Sequence, residues 1–232
     1  MAMISVKEAK FLIEENSRKV PVQPIPLAMA LGATLGTEVS RSGLGIEVGA
    51  RLTNSAISVL AGIGYKEVEV YRKPTVGIVV TGNALDDLGP DAGIGQLEQS
   101  NSPALTAALR QAKVMKINFY NAAKNLQSLT AVLKDAIQNN DIVILSCGVS
   151  SGCYDFVLNG SRNVGVTQIF DKVRQKPGKP LYFGKTDRKL VFGLPGDADA
   201  VLVSFNKYVL PAIEKLNNYT MNNGYLKNFK RV

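Results

Sequence analysis

The sequence has no histidine. That absence removes imidazole from every role it commonly fills: Ser-His-Asp and Cys-His catalysis, a histidine general base, and histidine-ligated metal centres. Acid–base work therefore falls to carboxylates, lysines or the ligand itself. Cysteine is almost as scarce. Cys147 and Cys153 are the only two, too few for a disulfide framework or a four-thiolate zinc site. Free thiols fit a reducing cytoplasm, and with no base established beside them they suit small apolar packing better than thiolate chemistry. Long apolar runs are also missing. None reaches the length of a membrane span, and the opening MAMISVKEAKFLIEEN mixes charges into its apolar residues where a signal peptide needs a continuous stretch. These absences predict a soluble cytoplasmic protein with no membrane partner. Aromatic residues make up only 7% of the chain, which argues against a nucleic-acid surface of interleaved basic and aromatic groups. No nucleic acid is expected.

What is present is an ordinary globular composition. With 46% of 232 residues hydrophobic, the chain can bury a full core. A formal net charge of +8 favours an anionic partner. Residues 5–16 place Val6, Ala9, Phe11, Leu12 and Ile13 near one helical face, with Ser5 as N-cap and Glu8 three residues on. Pro21, Pro24 and Pro26 then forbid a helix, and residues 20–48 read as extended and turn segments. Thr53 caps a helix through Leu60.

From there the pattern becomes regular. VGIVVTG at 76–82 is a buried strand, Ser100, Asn101 and Ser102 before Pro103 start a helix running to Ala112, and VMKINFY is a second strand. A helix over 126–137 leads to the strand DIVILSC, then PLYFGKT and KLVFGLPG pair around a charged turn, and a last helix covers 198–216. Strands alternating with helices predict an α/β fold with a mostly parallel sheet covered on both faces. The expected organisation is an N-terminal helical and extended arm (1–70), an α/β domain (71–216) and a solvated basic tail (217–232).

In such a sheet ligands bind beyond the carboxyl ends of the strands. Four loops are candidates: 81–85, 146–155, 176–180 and 193–197. If the strands are parallel, the first, second and fourth share one edge. The loop from Ser146 has Gly148 and Gly152 for unusual backbone angles and hydroxyls from Ser146, Ser150 and Ser151, a composition that suits either an anion-binding nest or a tight turn. KPGKP holds Lys176 and Lys179 between Pro177 and Pro180, either for a phosphate or as a basic solvated turn. GLPGD ends a strand and opens a helix whose amides can face a ligand, although Asp197 caps that helix and repels an anion. Asp86, Asp87 and Asp155 are the carboxylates near the expected cleft, available to hold magnesium or simply solvated.

Taken together and in this order, SNS, GVSSGCYD, KPGKP and VFGLPG resemble the molybdopterin-binding domain of the molybdopterin molybdenumtransferases, the MoeA and gephyrin E-domain type. The likeness begins at MISVKEA, continues through PLAMALGATLGTEV and the stretch from Gly43 to Gly82, and extends to about Leu216. The resemblance implies a three-layer α/β/α domain of the MogA/MoaB kind that binds adenylylated molybdopterin and inserts molybdate with release of AMP, using magnesium. It implies a ligand site made of Thr81, Gly82, Asn83, Ser100, Asn101, Ser146, Gly148, Val149, Ser150, Ser151, Gly152, Lys176, Gly178, Lys179, Pro195, Gly196 and Asp197. Asp155 is the implied catalytic and metal-binding acid, with Asp86 and Asp87 as helpers. A homodimer, and contact with other molybdenum cofactor biosynthesis proteins, are implied too.

The departures fall in the cleft. The family's Thr-Gly-Asp-Glu-Leu appears as Thr81, Gly82, Asn83, Ala84 and Leu85, its Gly-Asp-Tyr-Asp as Gly152, Cys153, Tyr154 and Asp155, and its Gly-Asn-Pro as Gly196, Asp197 and Ala198. The inserted β-rich domain is absent where the chain passes from Val39 to Gly43, and the sequence reads as a shortened form without the C-terminal barrel. Such a form is expected either to work as a weakened transferase or to bind a pterin without turnover.

Overall fold

The computed structural model describes residues 3–41, 44–81, 101–123, 125–147, 151–218 and 229–231. The chain divides into two compact units, one of residues 1–17 and 74–213, the other of 18–73 and 214–232.

The larger unit is built on six strands: β5 (Val76–Thr81), β6 (Ile117–Ala122), β7 (Ile142–Cys147), β8 (Thr167–Lys172), β9 (Pro180–Lys185) and β10 (Leu190–Leu194). They lie in the order β6-β5-β7-β10-β9-β8, with β6, β5, β7 and β10 mutually parallel and β9 antiparallel to both its neighbours. This is the expected three-layer α/β arrangement with a mostly parallel sheet. Alternation along each strand sends side chains to opposite faces. Val79, Val143, Leu145 and Val191 join Leu129 and Leu133 of α4 (Leu126–Asn139) and Val157 of α5 (Ser151–Asn163) in one core cluster. On the other face, Phe183 and Phe192 pack with ring centroids 4.9 Å apart. The helices α3 (Ser102–Gln111), α6 (Ala198–Ser204) and α1 (Val6–Asn16) belong to this unit, α3 packing on α6.

Two elements went unread in the sequence. The loop expected over 146–155 is shorter, because α5 begins at Ser151. Its glycines and Asn residues are poor helix formers, yet packing overrides them: Val157 is buried, and a Cβ on Gly160 would stand 3.3 Å from Leu129 Cδ2. Strand β8 was hidden because its register against β9 shifts twice, between Gln168 and Phe170 and again before Lys172. Those irregularities scramble the two-residue alternation that marks a strand.

The helix expected over 198–216 is continuous but changes pitch. Between α6 and α7 (Leu210–Leu216) lies a π-helical stretch, Phe205–Val209, in which the Leu210 N–H bonds to the Phe205 carbonyl. Pro211 follows directly; in an α-helix its ring would press on the carbonyl four residues back, and the wider turn relieves that.

Helix α1, grouped with the arm on sequence grounds, belongs to the larger unit. Ala9 and Ile13 are buried, the helix packs on the π-helical stretch, and Ile4 bridges Val173 at the end of β8. Ser5 caps it as expected, its hydroxyl accepting from the Glu8 N–H at 3.1 Å.

The smaller unit pairs β1 (Val22–Pro26) with β4 (Glu67–Tyr71), and β2 (Val39–Arg41) with β3 (Leu44–Ile46), over a core of Leu35, Leu52, Leu60, Val68 and Val70. Thr53 caps α2 (Asn54–Gly62) by accepting from the Ala56 N–H at 3.2 Å. Part of the segment expected to be a solvated tail is ordered against β3: Phe229–Arg231 forms β11, antiparallel to it. Among the described residues no helix is long and apolar enough to cross a membrane.

Glu214 in this unit offers a pH test. Burial holds its carboxyl above the usual glutamate range, so the folded state keeps that proton to higher pH than the unfolded chain does. Its contribution to stability is therefore intact at acid pH and declines as pH rises past the ordinary carboxylate range. Glu214→Gln is expected to raise Tm at neutral pH and to leave it unchanged in acid, measured by thermal denaturation across pH.

Candidate functional site

The parallel register fixes where the loops emerge. Thr81 pairs with Cys147, and Ser146 with Leu194, so β5, β7 and β10 end level at one edge of the sheet. Strand β8 is antiparallel to β9, and β9 to β10, so β8 runs with β10 and the β8–β9 connection lies at the same edge. KPGKP is that connection. The described parts of the four candidate loops thus lie at the carboxyl end of the sheet.

The described residues of these loops are fixed from below. Asn101 stands at the N-cap position of α3 but does not cap it; its Nδ2 donates instead to the Gly196 carbonyl at 3.0 Å, tying the start of α3 to the GLPGD loop. Pro195 is buried and Gly196 half-buried. Asp197 caps α6, its Oδ2 accepting from the Ala200 N–H at 3.1 Å, which commits one carboxylate oxygen to the helix end. Asn101→Ala is expected to destabilise the protein by about 1 kcal/mol, a Tm drop of roughly 2–4 °C in thermal denaturation, by leaving the Gly196 carbonyl without this donor.

Lys176 and Lys179 are both exposed, while Gly178 between them is buried with φ +91°. The loop closes on itself through the Val173 N–H, which donates to the Lys179 carbonyl at 3.0 Å. Its interior is occupied by the Gln175 amide, whose Nε2 donates to the Gly178 carbonyl at 2.8 Å. Gln175 Oε1 accepts from the buried Tyr208 hydroxyl at 2.7 Å. Neither Gln175 nor Tyr208 stood out in the sequence, because a lone glutamine and a tyrosine 33 residues apart carry no pattern.

The other expected residues divide into three groups. Thr81 is half-buried at the end of β5, and Ser146 is enclosed at 4% exposure within β7. Ser151 and Gly152 open α5, and Asp155 is exposed one turn further on. Gly82, Asn83, Asp86, Asp87, Ser100, Gly148, Val149 and Ser150 lie outside the described residues. Among the described residues no three Asp, Glu, His or Cys side chains stand close enough to hold a metal. Among the described residues Asp155 would be available to hold magnesium, with the remaining ligands supplied by phosphate oxygens of a bound molecule or by water.

An edge of backbone turns with two exposed ammonium groups on a braced loop is suited to an anionic ligand, with the exposed carboxylates of Asp155 and Asp197 beside it. Comparison with known proteins agrees in kind. Residues 77–215 match the family described as probable molybdopterin binding domain. A molybdopterin molybdenumtransferase of Staphylococcus epidermidis is 33% identical over 181 residues, 78% of this chain and 43% of that protein. The Staphylococcus aureus protein of the same name is 32% identical over 182 residues, again 78% and 43%. The chain thus spans less than half the length of these relatives. Among solved structures, the molybdopterin biosynthesis MoeA protein of Pyrococcus horikoshii superposes with a TM-score of 0.75 at 17% identity, over 94% of this chain and 81% of that one. A molybdenum cofactor biosynthesis protein of Pyrococcus furiosus gives 0.68 at 22%, over 95% and 74%. At these identities the likeness speaks for the fold.

Proposed function

The chain belongs to the family of probable molybdopterin binding domains, and from that premise we propose that it binds molybdopterin at the carboxyl edge of its sheet as a step in molybdenum cofactor biosynthesis. The observation that carries this reading is the convergence of the end of β7, the KPGKP segment and the GLPGD segment on one edge, with Lys176 and Lys179 exposed there. The ligand's phosphate meets the two ammonium groups and the backbone donors of the turns. The finer form of the proposal is that the ligand is adenylylated molybdopterin and that molybdate is the second substrate, with AMP released. When bound, magnesium would neutralise charge on the phosphates that Asp155 faces.

A second reading, binding without turnover, is favoured by specific residues. Asn83, Ala84 and Cys153 stand where the transferases carry acids, and Asp155 is the acid that remains of the second motif. Groups that act in the transition state contribute more to rate than to ground-state affinity, so their loss removes catalysis before binding. A second copy of the chain, or another protein of the same biosynthesis, is proposed to complete the cleft. Calorimetry with molybdopterin and with its adenylylated form, followed by a molybdate-dependent assay of AMP release, separates the readings. Binding with AMP release supports the transferase; binding without it leaves the module; absence of binding to either form sinks both.

A further inference from the structure

We propose that Gln175 and Tyr208 are positioning residues that hold the Lys176–Lys179 loop in the orientation in which its ammonium groups meet a phosphate. The inference rests on the reading of that loop as phosphate-binding and adds to it the groups that set its geometry.

The hydrogen-bond relay has one direction. The Gly178 carbonyl can only accept, so the Gln175 amide must turn its Nε2 towards it, at 2.8 Å. That leaves Oε1 facing Tyr208, whose hydroxyl must donate, at 2.7 Å. Burial pushes the Tyr208 phenol above its ordinary range, so the proton stays available for that bond. The inside of the loop is therefore filled by one amide satisfied at both ends, and the two lysines are left on the outside.

The seat beneath the loop is tight. A Cβ on Gly178 would stand 2.6 Å from Gln175 Nε2 and 2.9 Å from Ser204 Oγ, and the backbone there has φ +91°, so only glycine fits this contact unstrained. Tyr208 reaches the loop from the π-helical stretch Phe205–Val209. Tyr208 lies within the wider turn, so the local pitch of that stretch sets the direction in which its hydroxyl leaves the helix.

A relay of this kind acts on ligand affinity only through the lysines, and that distinguishes positioning from general support. In the full chain, Tyr208→Phe removes one hydroxyl and is expected to weaken molybdopterin binding by about five- to tenfold, the size of one lost hydrogen bond, in a pterin-fluorescence titration. Gln175→Leu is expected to reproduce the loss. With Lys176→Met and Lys179→Met already in place, Tyr208→Phe is expected to cause no further loss. An undiminished affinity in Tyr208→Phe and Gln175→Leu, or the same fold loss with and without the lysines, would overturn the inference while leaving the phosphate reading intact. Full affinity in the Lys176→Met, Lys179→Met variant would remove the phosphate reading, and the inference with it.

Discussion

Replacing Lys176 and Lys179 together by methionine is expected to weaken molybdopterin binding by about 100-fold with little change in Tm. On the proposed reading each ammonium group makes a charge-assisted contact with a phosphate; such contacts contribute roughly 1.5–3 kcal/mol each, so losing two removes on the order of 3 kcal/mol or more. Stability is spared because both side chains are exposed and neither the Gln175–Gly178 bond nor the Val173–Lys179 backbone bond involves an ammonium group. Methionine keeps most of the apolar stem while deleting the charge. A salt titration adds a second readout: the parent's affinity falls steeply as ionic strength rises, and the double variant's far less. Calorimetry at two salt concentrations measures both effects.

The opposite edge of the sheet is expected to behave in the opposite way. Asp141 precedes β7 and is buried at 5% exposure. Its Oδ2 accepts from the Thr75 N–H at 2.8 Å and from the Thr75 hydroxyl at 3.1 Å, and Lys189 Nζ lies 4.0 Å from Oδ1. Beside it Asn140, fully buried, donates to the Tyr120 hydroxyl and the Ala136 carbonyl and accepts from Asn118, so the amino ends of β5, β6 and β7 are joined by side-chain hydrogen bonds. Asp141→Ala leaves a backbone donor without this partner and is expected to destabilise the protein by about 3 kcal/mol, a Tm drop near 8 °C. Asp141→Asn keeps an acceptor for Thr75 and is expected to recover more than half of that. Neither change is expected to alter molybdopterin affinity at a temperature where the variant is folded. Thermal denaturation with parallel ligand titration checks both.

Much of the sheet was legible from local pattern. VGIVVTG and DIVILSC are unbroken apolar runs because β5 and β7 are central and covered on both faces, and the paired reading of PLYFGKT and KLVFGLPG matches β9 and β10. Caps at Ser5 and Thr53 were equally local. What escaped depended on distant partners. Helix α5 forms in spite of its own residues because Gly160 lets it approach Leu129, and β8 lies at the sheet edge with a broken alternation.

The site shows the same division. The sequence picked out Lys176, Lys179, Asn101 and Asp197 because their residue types and spacing carry a reason. It placed Asn101 at the start of its helix, where it stands, but not the bond its side chain makes to Gly196, 95 residues away. It counted KPGKP among the candidate ligand loops, but the edge at which KPGKP lies follows from the direction of β8, an element it had not seen. Gln175 and Tyr208 are joined only by the fold. Residues 82–100 and 148–150, where several expected ligand groups fall, lie outside the described residues, and their roles rest on the family resemblance.

A crystal structure of the chain with molybdopterin bound tests the central claim most directly. The phosphate is expected beyond the carboxyl ends of β7 and β10, within hydrogen-bonding distance of Lys176 or Lys179. Density for the ligand at the amino edge beside Asp141, or on the unit formed by residues 18–73 and 214–232, would contradict it.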